Sequence, residues 1–267
     1  MDTLTLLQIT TGILVQLIPV WVAMAIIFSL SIYYRARLGL YGHLFDSHVG
    51  TMGLVLVLFW VLTAIFADLI ITHDPLGQIS GMKNKGVGFP VRGVDGAFYL
   101  LGGDNLARDI FSRVVMGSRS VLTIAPAATM FAFMVGITLG LPAGYRSGTL
   151  DTVLSFLSNL VLAFPVILLF FLLVTPEIRS TGVPIYLAAV LFLFPIILFV
   201  VLFQSRFYTQ PVKRNFYVLI VLVLGFWAYS GLAFNMDPLG VFYMEPNLLN
   251  IFVAVVFVNS PTVFRIV

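Results

Sequence analysis

Apolar residues in this chain run in long unbroken blocks separated by short polar breaks, without the alternation of exposed strands or the polar faces of soluble helices. Seven blocks stand out, at 11–33, 50–71, 120–144, 152–174, 184–205, 215–234 and 247–264. A run of about 20 apolar residues crosses a hydrocarbon core of about 30 Å as a helix. The pattern therefore predicts an all-α polytopic membrane protein with about seven transmembrane helices. Outer-membrane barrel strands would read as alternating segments of about 10 residues, which this chain lacks. The first block is too long for the apolar part of a cleavable signal, only Asp2 precedes it, and no small-residue cleavage site follows.

Basic residues at the block ends orient the spans. Arg35 and Arg37 follow the first block, which puts residue 1 outside and 34–49 in the cytoplasm. Running the alternation forward places Arg146, then Arg206, Lys213 and Arg214, then Arg265 on the cytoplasmic side. The outer segments 175–183 and 235–246 hold a single basic residue, Arg179. The outer loop 72–119 departs from this economy, with Lys83, Lys85, Arg92, Arg108, Arg113 and Arg119.

The densest charge lies in LGGDNLARDIFSR, residues 101–113. Gly102 and Gly103 break the chain, and Asp104 stands where a helix N-cap belongs. Leu106, Ile110 and Val114 recur every four residues, while Asp104–Arg108 and Asp109–Arg113 are acid-before-base pairs at i,i+4. The spacing predicts an amphipathic helix over 104–115, leading into the span at 120 and lying with its apolar face down. Two roles suit it: a surface connector whose charges neutralise one another, or a docking element for an external partner.

Composition narrows the chemistry. The chain is 60% hydrophobic and 9% charged, with mean hydropathy +1.09, against about 25% charged residues in a soluble domain. There is no cysteine, and His43, His48 and His73 share no ligand spacing, so no metal or cofactor site is expected. The net charge of +3 fits basic anchors at helix ends rather than nucleic-acid binding. The expected span cores contain no Asp, Glu, Lys, Arg or His, which disfavours an ion-coupled secondary transporter. No phosphate-binding GxxxxGK[ST] loop occurs, nor the paired Asp, HExxH or Ser–His set of an intramembrane protease, so no catalytic residues are expected.

Three further patterns bear on packing. Ala128, Ala132, Gly136, Gly140 and Gly144 form a small-residue stripe every four positions, which lets helix backbones approach closely. The partner helix could come from this chain or from another subunit. Pro165 and Pro195 fall inside expected spans, where they would kink the helix and leave carbonyls for protein or water to satisfy, in a tolerated bend or along a pathway. Asp74-Pro75-Leu76-Gly77 recurs as Asp237-Pro238-Leu239-Gly240, two similar turns after outward-going spans.

Residues 101–113 also resemble the "L-G-T-D-x-x-G-R-D-x-x-S-R" segment of the dipeptide/oligopeptide-type (C-type) permease subunits of binding-protein-dependent ABC importers. Gly102, Asp104, Arg108, Asp109, Ser112 and Arg113 carry the match. Gly103 stands where the family has Thr, and Ala107, a helix former, where it has Gly. In order after it, Ala143-Gly144-Tyr145-Arg146-Ser147-Gly148-Thr149-Leu150-Asp151 resembles the family's "A-G-Y-x-G-G-x-x-D" turn, and Leu162-Ala163-Phe164-Pro165 its "L-A-F-P". Upstream, FADLIITHDPLGQ is similar to the exit of the family's first helix. Phe156 and Asn159 occupy positions where the family often carries an Arg and an Asp.

The resemblance implies a type I importer permease organised as an extra N-terminal helix and cytoplasmic loop (1–49), the first family helix and outer loop (50–119), core helices (120–175), an insertion with two extra spans (176–246) and a final helix (247–267). Val267 falls where the family's coupling loop would begin, so the expectation is a permease incomplete at its C-terminus. The implied work is alternating access for peptides or similar small solutes across the inner membrane. The implied partners are a second permease subunit, cytoplasmic ATPase subunits, an external solute-binding protein and the lipid bilayer, with no nucleic acid. A non-transporting scaffold or remnant is the alternative.

Overall fold

The computed structural model describes residues 3–91, 93–94, 96–146, 148–175, 177–178, 181–234, 236–241 and 245–267. Arg92, Ser147 and Arg179 lie outside the described residues. The chain is all-α, with a two-residue strand pair, Phe89–Pro90 (β1) against Phe98–Tyr99 (β2), antiparallel. Two compact units divide it, 1–123 and 124–267.

The first unit opens with α1 (Leu6–Gln16), started by a capping box between Thr5 and Gln8. Its axis turns by 55° into α2 (Ile18–Tyr33). Pro19, in the first turn of α2, has no N–H to offer the Val15 carbonyl, so the helix bends there. Two 3-10 segments, Arg35–Arg37 and Gly39–Asp46, lead to α3 (His48–Ile65), which Ser47 caps. A single turn, α4 (Ala67–Ile70), follows. The core of this unit joins Leu17, Val20, Leu62, Ala67, Ile70, Leu100, Phe111 and Val115. A smaller cluster of Met82, Val91 and Tyr99 fills the loop.

Helix α5 (Ile110–Tyr145) runs 36 residues and contributes to both units. The second unit continues with α6 (Thr149–Ala163), α7 (Val166–Val174), α8 (Val183–Leu191), α9 (Leu193–Arg206), α10 (Pro211–Phe234) and α11 (Pro246–Ile266). α9 and α10 form a hairpin, and α11 packs on α6, α7 and α8. α11 is the central helix of this unit: half of its apolar window is buried, against 11% for α10. Phe131, Phe192 and Phe252 meet around Val253 and Val256, with ring centroids 5.2–5.8 Å apart.

Among the described residues, five helices are long and apolar enough to span a membrane, or six with α1 and α2 taken as one bent span. Of the seven expected spans, the block at 152–174 is divided between two shorter helices. Pro165 does not kink a helix; it ends one. A residue before proline is driven to extended backbone, Phe164 adopts φ −76° and ψ 137°, and the block divides into helices of 15 and 9 residues. At the other proline, Pro195 cannot donate to the Leu191 carbonyl, and Leu191 is where α8 stops, Phe192 being the joint to α9.

Candidate functional site

The residues of 101–113 do not start a helix at Asp104. Helix α5 begins at Ile110, and 101–109 is a compact loop closed by a bridge between Gly103 and Asp109. Ala107 has φ +63°, a left-handed conformation that no helix continues through. It sits where the resembled motif has glycine, so the helix-forming reading of Ala107 is corrected: the position needs left-handed backbone. Leu106 and Val114, expected on one apolar helix face, are both 47% exposed, Leu106 in the loop and Val114 on α5.

The loop is pinned from the outside by residues 79–88. The amides of Ile79, Asn84 and Gly103 donate to the carbonyls of Ala107, Asp104 and Lys85 at 2.9–3.2 Å. Gly102 adopts φ +83°, and a Cβ there would stand 2.5 Å from the Lys85 carbonyl oxygen. A Cβ on Gly103 would collide with the carbonyl oxygen of Met82. The Thr of the resembled motif therefore does not fit this chain's crossing of 82–86, and glycine here is a requirement of the packing.

Asp104 and Asp109 divide the work. Asp104 closes the turn, its carboxylate accepting from the amides of Leu106 (2.8 Å) and Arg108 (2.9 Å) and from Arg108 Nε (2.8 Å). Arg113 also reaches Asp104 rather than its expected partner Asp109. Partial burial pushes the Asp104 carboxyl up, but the backbone and guanidinium of Arg108 and the Leu106 amide outweigh it and hold the group well below the usual carboxylate range.

Asp109 is fully buried and is the cap of α5. It accepts from Ser112 Oγ (2.6 Å), Thr72 Oγ1 (3.0 Å), Ser112 N (3.1 Å) and Phe111 N (3.3 Å). Ser112 Oγ in turn accepts from the amides of Thr72 and His73, both at 3.1 Å. With its own proton on Asp109, Thr72 Oγ1 accepts from His73 Nδ1 at 3.1 Å, which fixes the imidazole tautomer. The His73 ring stands edge-on to buried Tyr99, 5.0 Å between centroids. Burial raises the Asp109 carboxyl, yet the His73 imidazole, with Nδ1 3.6 Å away, and the hydrogen bonds from Ser112 and Thr72 outweigh it and leave it lowered. Burial, with Asp109 and Asp104 nearby, raises the Tyr99 phenol.

Thr72, His73 and Tyr99 complete this network, and spacing along the chain had assigned none of them a role; Thr72 and His73 fall within the quoted FADLIITHDPLGQ stretch, and Tyr99 carried no signal. Further along α5, Arg119 latches the end of the first unit's helices, donating to the Ala64 carbonyl (2.8 Å) and to Asp68 (2.7 and 3.0 Å). The small-residue stripe lies elsewhere, in the second unit. Ala128 and Ala132 are buried. A Cβ on Gly136 would lie 2.5 Å from Val263 Cγ1, and one on Gly140 3.2 Å from the Phe264 carbonyl oxygen, so both face α11 of the same chain. Gly144 faces open space. Phe156 and Asn159 are exposed on α6.

No family model and no solved structure matches the chain. Curated proteins do. The chain is 32% identical over 128 residues to the dipeptide transport system permease protein DppC of Alkalihalophilus pseudofirmus, covering 46% of this chain and 38% of the relative. It is 32% identical over 124 residues to the glutathione transport system permease protein GsiD of Pectobacterium atrosepticum, with the same two coverages. Against the di/tripeptide transport system permease protein DppC of Pseudomonas aeruginosa it is 31% identical over 142 residues, 52% of this chain and 46% of the relative. The aligned part thus spans less than half of each of these relatives. The resemblance to dipeptide-type permeases seen in the sequence stands on these relatives, and the chain is an all-α, multi-pass protein of the bacterial inner membrane.

Proposed function

We propose that this chain is membrane-spanning permease material of an ABC importer that moves peptides or similar small solutes inward. The similarity to three peptide- and glutathione-transport permeases over about half of the chain carries this reading. The loop 72–109, braced by its hydrogen bonds to 101–112, would be the outer platform on which a solute-binding protein docks. Energy would enter from ATPase subunits on the cytoplasmic side, acting on a permease pair by alternating access. Gly136 and Gly140 would hold α11 against α5. The helix ends at Pro165 and Pro195 would supply the bends around which helices rock, since a broken helix bends at less cost than an intact one.

Residue groupings 1–49, 50–119, 120–175, 176–246 and 247–267 would then be the added N-terminal helix, the outer-loop region, the core, the insertion and the closing helix. Radiolabelled dipeptide uptake in cells lacking the chain's coding frame, and in cells with it restored, tests the function. Uptake that falls on deletion and returns on restoration is expected. Identical uptake of dipeptides, tripeptides and glutathione in both strains would overturn it.

A further inference from the structure

An open apolar groove of about 590 Å³ lies in the first unit, between α3 and the first turns of α5. Leu56, Val57 and Trp60 line it from α3, and Gly117, Val121 and Arg113 from α5. A volume of this size is in the range of sites that take a single small ligand, roughly 300–1,000 Å³. Nothing stands within 4 Å of a Cβ placed on Gly117, so the missing side chain is what opens its floor.

The groove has a direction. Thr72 bonds Ser112, and Ala64 bonds Arg119, so the two segments run antiparallel beside each other. At about 1.5 Å per helical residue, Arg113 stands about 9 Å above Arg119, toward the 72–109 loop, and Leu56 about 12 Å below Ala64. Half of a hydrocarbon core is about 15 Å. Arg113 and Leu56 are thus about 21 Å apart along the groove, that depth plus a headgroup layer of about 6 Å, and a guanidinium stands at the loop end.

Charge at that end is shared. Asp104 serves both Arg108 and Arg113, one carboxylate for two guanidiniums, and Asp109 is turned inward among Ser112, Thr72 and His73. Arg119 is matched by Asp68. Arg113 gives Nη1 to that shared carboxylate, and its side chain is 41% exposed where the groove opens. A fork of guanidinium donors suits a phosphate.

We propose that this groove holds one anionic phospholipid of the membrane, an acyl chain along Trp60, Gly117 and Val121 and the headgroup phosphate on Arg113. The site is independent of what the chain transports. The test uses the full chain, purified in detergent, stripped of lipid and titrated with phosphatidylglycerol or phosphatidylcholine under native mass spectrometry. One retained phospholipid is expected, with phosphatidylglycerol preferred. Arg113→Gln should lower that preference about fivefold, the weight of one basic residue at an anionic headgroup.

Gly117→Phe and, separately, Val121→Trp should fill the groove and abolish retention, while Gly117→Ala keeps it. Circular dichroism and monodisperse elution identify folded variants, and two fillers at different positions guard against the loss of either. Retention unchanged in the folded fillers, or a phosphatidylglycerol preference unchanged in Arg113→Gln, overturns the site. So does displacement of the lipid by excess inorganic phosphate, which would make it a site for the free anion. A photoreactive residue at Leu122 should yield a lipid adduct in native membranes. A protein adduct instead would assign the groove to a partner helix and overturn the proposal.

Discussion

Replacing Asp109 by alanine should loosen the 72–112 loop and with it the start of α5. Four donors converge on this carboxylate, two from hydroxyls and two from backbone amides, in a position with no exposure. Loss of the helix cap costs about 1 kcal/mol. Each buried donor that loses a charged acceptor adds about 1.5–3 kcal/mol, less whatever Ser112 and Thr72 recover by turning to each other. Such losses overlap rather than add, so a net cost of about 3 kcal/mol is expected, comparable to breaking a buried ion pair. The Asp109→Asn variant would keep one acceptor oxygen and lose roughly half as much.

Hydrogen exchange reads this locally, because the amides of Thr72, His73 and Ser112 all end on the network. About 3 kcal/mol corresponds to exchange faster by about a hundredfold if opening is local. The folded carboxyl is lowered, so its contribution is whole above the unfolded value of about 3.9 and is lost as pH falls through the folded value. The Tm in detergent should therefore hold above about pH 4 and drop below it, and Asp109→Asn should lose part of that drop. Exchange at these three amides equal to wild type in Asp109→Ala would refute the reasoning.

Gly136→Leu should destabilise the second unit by about 1–3 kcal/mol or prevent its assembly, because the backbone of Phe264 cannot give way. Gly144→Leu, facing open space, should leave the Tm unchanged, and an equal loss in both would sink the packing assignment. Ala107→Gly should stabilise by about 0.5–1 kcal/mol, as relief of left-handed strain exceeds the added freedom of the unfolded chain; a lower Tm would contradict it. A cysteine at Ser205 or Thr209 should resist an impermeant thiol reagent added outside intact cells, and ready labelling would reverse the topology. Arg108→Ala with Arg113→Ala should insert normally yet lose uptake if the loop is a docking platform, whereas full uptake would leave it a connector.

The membrane class and most of the spans were legible because burial in lipid depends on the length of an apolar run, a property of the sequence alone. The breaks at Pro165 and Pro195 were visible as prolines for the same local reason, though not that Pro165 ends its helix. The start of α5 was not legible. Asp104 and Asp109 both precede helical spacing, both have an Arg four residues on, and either could cap. The choice is made by Thr72 and His73, nearly forty residues upstream, whose hydroxyl and amides reach Asp109 and Ser112.

The same division holds for the stripe at Ala128–Gly144. Its period announced a close helix contact, but an apolar face reads alike whether it meets lipid or protein. Length, hydropathy and turn residues thus determined a helical membrane chain and its approximate breaks. Only the tertiary structure decided that Gly136 and Gly140 meet α11, that Gly144 meets nothing, and that Asp109 is turned inward while Arg113 of the Asp104–Arg108–Arg113 cluster is exposed. Hydrogen-bond partners distant in sequence are chosen by the fold, and local spacing carries no record of them.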